Sequence, residues 1–587
     1  MQLTAFGAQN VLINGNPSMS YFTKLYKRTT NFAMEHFRLE PRNMTDTGLP
    51  QAGTRTFRFK VPNYADLIHD CYLCLTLPDI WSPMIQAIEG NTQGFPYEFK
   101  WNKNIGFNMI EELAINFNGS TIVTMTGEWM KVLSYLQDDV SKRAVIDQMV
   151  GNTVDMHDPA NATGRTNQYP HAIATKPDLV TAASIPAPSI RGRQLQIPLP
   201  FWFCKEIGQA LPLISMRLTE VEFVITLTNM YNLFTINDVR TAPYTTRILG
   251  TPSATKTGIQ NFLSYPDILG NPTNSALTNW NMDPYIEANY IFLTDTERAF
   301  VAANERTFLI NQVRYVANEK QYGLNNIIIP MYNLCTRVVA LFQRVDRALI
   351  NDWDNYTNWA DTTYAPVISG GLIPTRWVVQ SAADAVVYKP KQTLASGYAF
   401  SNAMNQQDIM VEGNLVFDGK DRFSTKNVNF FRGIQNYRFS KGNSEQLPGI
   451  NLYSFALDPN TITQPSGTIN ASMFNKTYFQ YTLLVPPVQA TTLTTQASLC
   501  VLRDTVFNST PGPGIAASST VARQITVQGQ TNLAPIPPLV NPAEVITLYS
   551  SPTNLDIQFQ GYNSMIYIES YNFLKVTNGQ ANVVFTT

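Results

Sequence analysis

From Val221 to Leu227 every second residue is apolar: Val221, Phe223, Ile225 and Leu227 make one set, while Glu222 and Thr226, with Glu220 just before them, are polar. A period of two puts each set on one face of a strand. One face is then buried, and the other is wet or meets a neighbouring subunit. Just before it, Pro198 and Pro200 end any ladder, and the chain turns again around Gly208 and Pro212. Phe201, Trp202 and Phe203 stand in a row there, and three successive aromatics cannot all enter one face of a strand. Some of that run is expected to pack under a loop or against another subunit.

The same alternation recurs along the chain. Phe57, Phe59 and Val61 face one way while Arg58 and Lys60 face the other; Cys71, Leu73, Leu75 and Leu77 repeat it. Leu113, Ile115 and Phe117 lead into Asn118-Gly119, a strong hairpin signal, and Thr121, Val123 and Met125 make the return strand. After Gly127, the spacing of Trp129, Val132, Leu133 and Leu136 predicts a short helix buried against a sheet. Residues 151–193 lose periodicity and read as a long surface loop, and 229–280 as irregular, before a strand from Tyr285 to Leu293. A second series of strands begins near Phe308. It takes in Val338 to Phe342, Tyr453 to Leu457, Tyr478 to Val485, Leu499 to Val506 and Met565 to Ile568, with polar loops expected at 351–370, 459–475 and 508–540. Many short strands, few helices and long loops in each half predict an all-β chain built from sandwiches or barrels.

Composition narrows the function. A net charge of −1, with charged residues only 14% of the chain, argues against a protein that wraps nucleic acid, because phosphate binding needs many Lys and Arg contacts. The five cysteines, Cys71, Cys74, Cys204, Cys335 and Cys500, are scattered and odd in number, which suits free thiols better than a disulfide framework. Cys71 and Cys74 form a CxxC on a predicted strand, where residues three apart face opposite sides, so no zinc or redox pair is expected. The four histidines, His36, His69, His157 and His171, form no HxH or HExxH. His69-Asp70 could be half of a triad, but adjacent residues on a strand point apart. No phosphate loop is present; Pro511-Gly512-Pro513-Gly514 lacks two of the backbone donors such a loop uses. The expected enzyme, metal and cofactor content is therefore none. No basic region followed by an apolar core opens the chain, and no apolar run approaches the roughly 18 residues of a membrane span. These features predict a soluble chain made in the cytosol.

Residues 1–25, with the turn Asn14-Gly15-Asn16-Pro17, read as an extended arm that must find a partner surface. Lys24, Lys27 and Arg28 stand among Tyr21, Phe22 and Tyr26, a basic and aromatic patch better suited to a subunit contact than to nucleic acid or lipid. Sequons occur at Asn161, Asn355 and Asn508 in predicted loops, the candidate glycosylation sites.

Five blocks, in order, carry a resemblance. They are Gly7-Ala8-Gln9 and Gly15-Asn16-Pro17 with Tyr21 to Glu35; Pro198 to Phe203 with Ala210 to Ile214 and Arg217 to Val221; Tyr290 to Arg298; Tyr453 to Leu457 with Pro459 and Gln464 to Asn470; and Tyr571 to Val576 with Gly579. Together they resemble the major capsid proteins of the nucleocytoplasmic large DNA viruses. The Gly-rich tail usual in that family is reduced here to Asn578-Gly579-Gln580-Ala581.

The resemblance implies two consecutive eight-stranded jelly-roll barrels with long loops and a few short helices. The arm would be 1–25, the first barrel 26–298, the junction 299–304 and the second barrel 305–587. It implies a structural protein whose trimers form pseudo-hexagonal capsomers of an icosahedral shell around a large double-stranded DNA virus, assembled in the host cytoplasm and resident in the virion. Neighbouring capsomers, minor capsid proteins and a penton protein are the expected partners, with an inner membrane beneath the shell as a further candidate and no direct contact with nucleic acid. Tyr21, Phe22, Tyr26, Arg28, Phe201, Trp202 and Phe203 are the expected contacts between subunits or with the arm. The alternatives are a minor capsid or assembly-scaffold paralogue of the same fold, or a carbohydrate-binding jelly-roll protein.

Overall fold

The computed structural model describes residues 7–23, 26–42, 47–84, 97–165, 169–170, 172–173, 187–238, 246–248, 258–263, 279–345, 351–358, 373–379, 386–393, 407–461, 463–484, 504–506 and 561–585. In the first half the principal strands are β1 (Phe32–Leu39), β2 (Arg55–Lys60), β3 (Leu67–Leu77), β4 (Ile110–Phe117), β5 (Ser120–Met125), β6 (Arg193–Pro198), β7 (Val221–Leu227) and β8 (Tyr285–Leu293). They pair into two antiparallel sheets of order β1-β8-β3-β6 and β2-β7-β4-β5. That interleaving arises when one long hairpin, pairing first with last and second with second-last, rolls over on itself. It is the order of a jelly roll.

The second half repeats it. Its strands are β9 (Arg306–Gln321), β10 (Gly323–Ile328), β11 (Leu334–Arg344), β12 (Met410–Phe417), β13 (Lys420–Asp421), β14 (Asn451–Ser454), β15 (Thr477–Leu483) and β16 (Tyr562–Thr577). The sheets run β9-β16-β11-β14 and β10-β15-β12-β13, with β17 (Gln580–Val583) added beyond β16. Raising every label of the first half by eight gives the second. The chain is a double jelly roll.

The turn chemistry explains the tight hairpins. Asn118-Gly119 between β4 and β5, Asp418-Gly419 between β12 and β13, and Asn578-Gly579 between β16 and β17 each place both residues at positive φ, between 49° and 83°. These are type I′ turns, whose twist matches that of paired strands and which favour Asn or Asp followed by Gly.

The alternation from Val221 to Leu227 is realised in β7. Phe223 lies between Phe59 and Ile115, and Ile225 between Phe57 and Leu113, all buried. On the outer face Glu222 accepts from Arg58 at 3.0 Å. Helix α2 (Gly127–Gln137) begins where expected, its Thr126 hydroxyl accepting the Trp129 N–H at 3.1 Å.

The core of the first barrel extends into the second half, and the second barrel holds a further core of its own. Successive residues of β11 face opposite ways: Val338, Ala340 and Phe342 fill the core of the second barrel, whereas Val339 and Leu341 join the core of the first. A sheet covered on both faces shows a continuous apolar run in place of alternation, which is why Val338 to Phe342 reads as it does.

Several expectations are corrected. The arm carries helix α1 (Ala8–Asn14) and so is not extended throughout. Residues 151–165 of the expected loop include a turn of helix at Val154–His157, and helix α3 (Val140–Met149), capped by Asp139, lies just ahead of them. In the stretch read as irregular, Phe234–Asp238 pairs with Tyr97–Trp101. The segment 351–358, expected on the surface, is largely buried between the halves: Asn351 donates to the Tyr231 and Phe234 carbonyls at 2.6 and 3.0 Å, and Trp353 to that of Asn232 at 2.8 Å. Of the strand expected at 499–506, only 504–506 is among the described residues. The expected loop at 508–540 lies outside them.

Candidate functional site

In the arm Tyr21 and Phe22 are 91% and 99% exposed, and just after it Tyr26 is 87% exposed with Arg28 exposed beside it. Val11 and Leu12 of α1 also point to solvent. Lys24 lies outside the described residues. Rings of this size cost free energy when left in water, and here they lie open on the surface of their own chain. The exposure continues into β1, which pairs with β8 on one side only and presents Phe32 and Met34.

The aromatic corner behaves differently. Phe201, Trp202 and Phe203 are all buried within the chain, which corrects the expectation that they meet a neighbouring subunit. A short 3-10 turn at Trp202–Cys204 lets consecutive side chains leave in different directions, which a strand would forbid. Phe201 stacks on Phe203 and on Phe223, each with centroids 5.6 Å apart, and Trp202 meets the edge of Phe203 at 5.2 Å. Trp202 and Phe201 share a small internal gap with Asn311 and Val313 of β9 and Glu569 of β16. The corner is therefore a wedge between the two barrels.

A polar seam runs beside that wedge. Lys131 Nζ lies 2.6 Å from Asp354 Oδ1, with both side chains buried. Asn104 and Asn108 donate to the same carboxylate at 2.6 and 3.0 Å. Burial alone would raise the Asp354 pKa, but the Lys131 charge and these hydrogen bonds outweigh it and hold it below the usual carboxylate range. Tyr356 and Tyr567 each donate to Glu128 at 2.7 Å. Arg337 and Glu569 form a second buried ion pair on the sheet of the second barrel, with Asn311 completing it at 2.6 Å. These groups join elements; none faces a substrate-sized space with a free nucleophile.

Of the sequons, Asn161 is exposed at the end of a 3-10 turn. Asn355 is 2% exposed, and its side-chain oxygen accepts from the Thr357 amide and hydroxyl, so the folded chain has no room for a glycan there. Asn508 lies outside the described residues.

His69 approaches Asp70 to 3.5 Å, closer than adjacent residues on a strand suggest, but its Nδ1 is held by the Phe203 carbonyl. Burial is the main reason His157 falls to about 4, with Lys103 adding to it. No group of three potential metal ligands occurs among the described residues. Cys71, Cys74, Cys204 and Cys335 are free.

Residues 20–268 match the family model described as major capsid protein N-terminus, and residues 297–500 match that of the large eukaryotic DNA virus major capsid protein. The chain is 24% identical to the major capsid protein of Phaeocystis pouchetii virus, over 83% of this chain and 93% of that one. It is 25% identical to that of Chrysochromulina ericina virus, over 82% and 93%. Among solved structures, the fold is similar to the chain of a quasi-atomic model of the PBCV-1 virus capsid, at TM-score 0.54 and 18% identity over 97% of this chain and all of that one. It is likewise similar to the Faustovirus major capsid protein, at TM-score 0.55 and 12% identity over 95% and 93%.

Proposed function

Because the chain belongs to the family of major capsid proteins of large eukaryotic DNA viruses, structural proteins that form the capsid shell, we propose that three copies of it assemble into a pseudo-hexagonal capsomer. The observation that carries this reading is the repeated strand order of the two barrels, packed together through β11, whose two faces enter the two cores. One subunit then offers two similar, rigidly joined columns, and a threefold axis generates six. Each barrel hides most of its strand edges, which lets many copies stand side by side without sheet-to-sheet aggregation.

In this reading 26–298 and 305–587 are the two building units, joined across 299–304, a stretch that begins inside helix α4 (Asp295–Ala303). The arm, through Tyr21 and Phe22, together with Tyr26 and Arg28 just after it, is the contact that links a subunit to its neighbours beneath the barrels. Neighbouring capsomers, minor capsid proteins and a penton protein complete the shell, which is put together in the host cytoplasm, and Asn161, exposed with its side-chain amide donating to Asp158 at 2.6 Å, is a candidate for a glycan. Light scattering on the purified chain tests the capsomer. A stable species at three times 65.8 kDa is expected, and a clean monomer would overturn trimer formation and favour a scaffold or binding role.

A further inference from the structure

Cys71 and Cys204 lie 133 positions apart in sequence and meet in space. Cys71 sits on β3, and Cys204 closes the 3-10 turn of the aromatic corner, which packs directly over that strand. Both thiols donate to one acceptor, the His69 carbonyl oxygen, Cys71 Sγ at 3.2 Å and Cys204 Sγ at 3.6 Å. The Leu199 amide binds the Cys71 carbonyl at 3.0 Å, and the Phe203 carbonyl binds the His69 ring, so the two backbones are tied on either side of the sulfurs. Both cysteines also line a cavity of about 450 Å³ between β3, the corner, α2 and α3, rimmed by the exposed Lys142 and Lys441. A small oxidant therefore has a route to them.

We propose that Cys71 and Cys204 are a latent disulfide site, closed by thiol exchange with a low-molecular-weight disulfide that enters through this cavity. Cys204, the more exposed of the two, loses its proton to solvent, and its sulfur attacks one sulfur of the small disulfide. A mixed disulfide forms, and one thiolate leaves and is protonated. Cys71 then gives up its proton and attacks the Cys204 sulfur, and the second small thiol departs carrying a proton. One S–S bond is broken and one is made; the two protein thiols are oxidised, and the small disulfide is reduced to two thiols. Burial, with the neighbouring Cys204 thiol adding to it, pushes the Cys71 thiol well above its ordinary range, so the second step is the slower one and speeds up with pH.

The CxxC is not the pair. Cys74 sits among Tyr285, Glu287 and Arg38, away from the cavity, and its thiol turns to the Tyr72 carbonyl at 3.9 Å. The bond would fasten the wedge to the first barrel and close a long loop, which constrains the unfolded chain strongly. Pairing does not depend on assembly into a shell.

The test uses the full folded chain, incubated with oxidised glutathione and then alkylated, digested and mapped by mass spectrometry. A mass lower by two hydrogens, loss of two of the five thiols to titration, and a peptide joining Cys71 to Cys204 are expected. In Cys71→Ser the adduct should stop as glutathione on Cys204, and Cys204→Ser should leave Cys71 unmodified. Alkylation of both cysteines in the treated folded chain, glutathione held on Cys204 with Cys71 free, or a bond joining any other pair would each overturn the proposal.

Discussion

Lys131 of helix α2 and Asp354 of the segment between β11 and β12 meet at 2.6 Å across the seam of the two barrels, with side chains 1% and 6% exposed. A pair this deep adds little over a well-packed apolar pair, but removing one partner strands the other charge. Asp354→Ala is expected to cost about 3–5 kcal/mol, and Lys131→Met/Asp354→Leu clearly less than the sum of its single changes. Unfolding of the parent, Lys131→Met, Asp354→Leu and the double variant in denaturant measures the coupling. Additive losses would show that the seam is not held by this pair.

The same carboxylate sets an acid limit. The folded pKa of Asp354 is depressed, so its contribution is complete above the unfolded value of about 3.9 and is lost as pH falls through the lower folded value. Asp354→Asn should therefore be less stable than the parent near neutrality, with the gap narrowing as pH falls below about 4. Thermal unfolding at a series of pH values reads it; a gap that widens in acid would contradict the assignment.

Trp202→Ala removes a side chain that is buried in its own subunit between the barrels. The cost should be about 3–5 kcal/mol, the range for emptying a large aromatic site. Because the wedge is internal, the loss should appear in unfolding of the separated subunit and not only in its association. A variant of unchanged stability that fails to associate would return this residue to a subunit contact.

The arm gives the opposite expectation. Tyr21 and Phe22 touch almost nothing in their own chain, so deleting residues 1–25 should leave the melting temperature close to that of the parent and leave soluble trimers that fail to form shells. Light scattering and electron microscopy of the deletion separate the two effects. Normal shells would remove the arm from assembly.

What the sequence reveals depends on whether one face or two is covered. β7 is packed on one face and wet on the other, so Val221 to Leu227 announces both its strand and its inner face. β11 is packed on both, and its apolar run marks a strand without saying that two cores meet there. The segment 351–358 looks like a surface loop because its side chains are polar, yet those side chains satisfy carbonyls of the other half. No local pattern carries that pairing. Helix α3 did leave a signal, since Asp139 caps it by accepting the Lys142 amide at 2.8 Å. In the arm, the turn at Asn14-Gly15-Asn16-Pro17 hides helix α1 just before it, because that helix is only seven residues long and carries too few apolar residues to show a period. At the corner, three aromatics in a row exclude a strand and allow packing under a loop or against a neighbour; the 3-10 turn at Trp202–Cys204, which no local pattern announces, is what buries all three within the chain.

The last turn of the chain ties the second barrel to the first. Gly579 has a φ of +83°, its carbonyl accepts the Leu218 amide at 3.0 Å, and a Cβ placed on it would stand 3.2 Å from Leu218 Cγ. Gly119 has the same φ and nothing within 4 Å of the corresponding point. Gly119→Ala should cost only the left-handed backbone penalty, about 1–2 kcal/mol. Gly579→Ala carries that penalty and must also displace Leu218, so it should be the more destabilising of the two and should loosen β17 from residues 218–219. Paired denaturation curves give the difference, and hydrogen exchange at the Leu218 amide locates it. Equal losses with full protection of that amide would mean that the hairpin tip is free to shift and that the contact does not join the barrels.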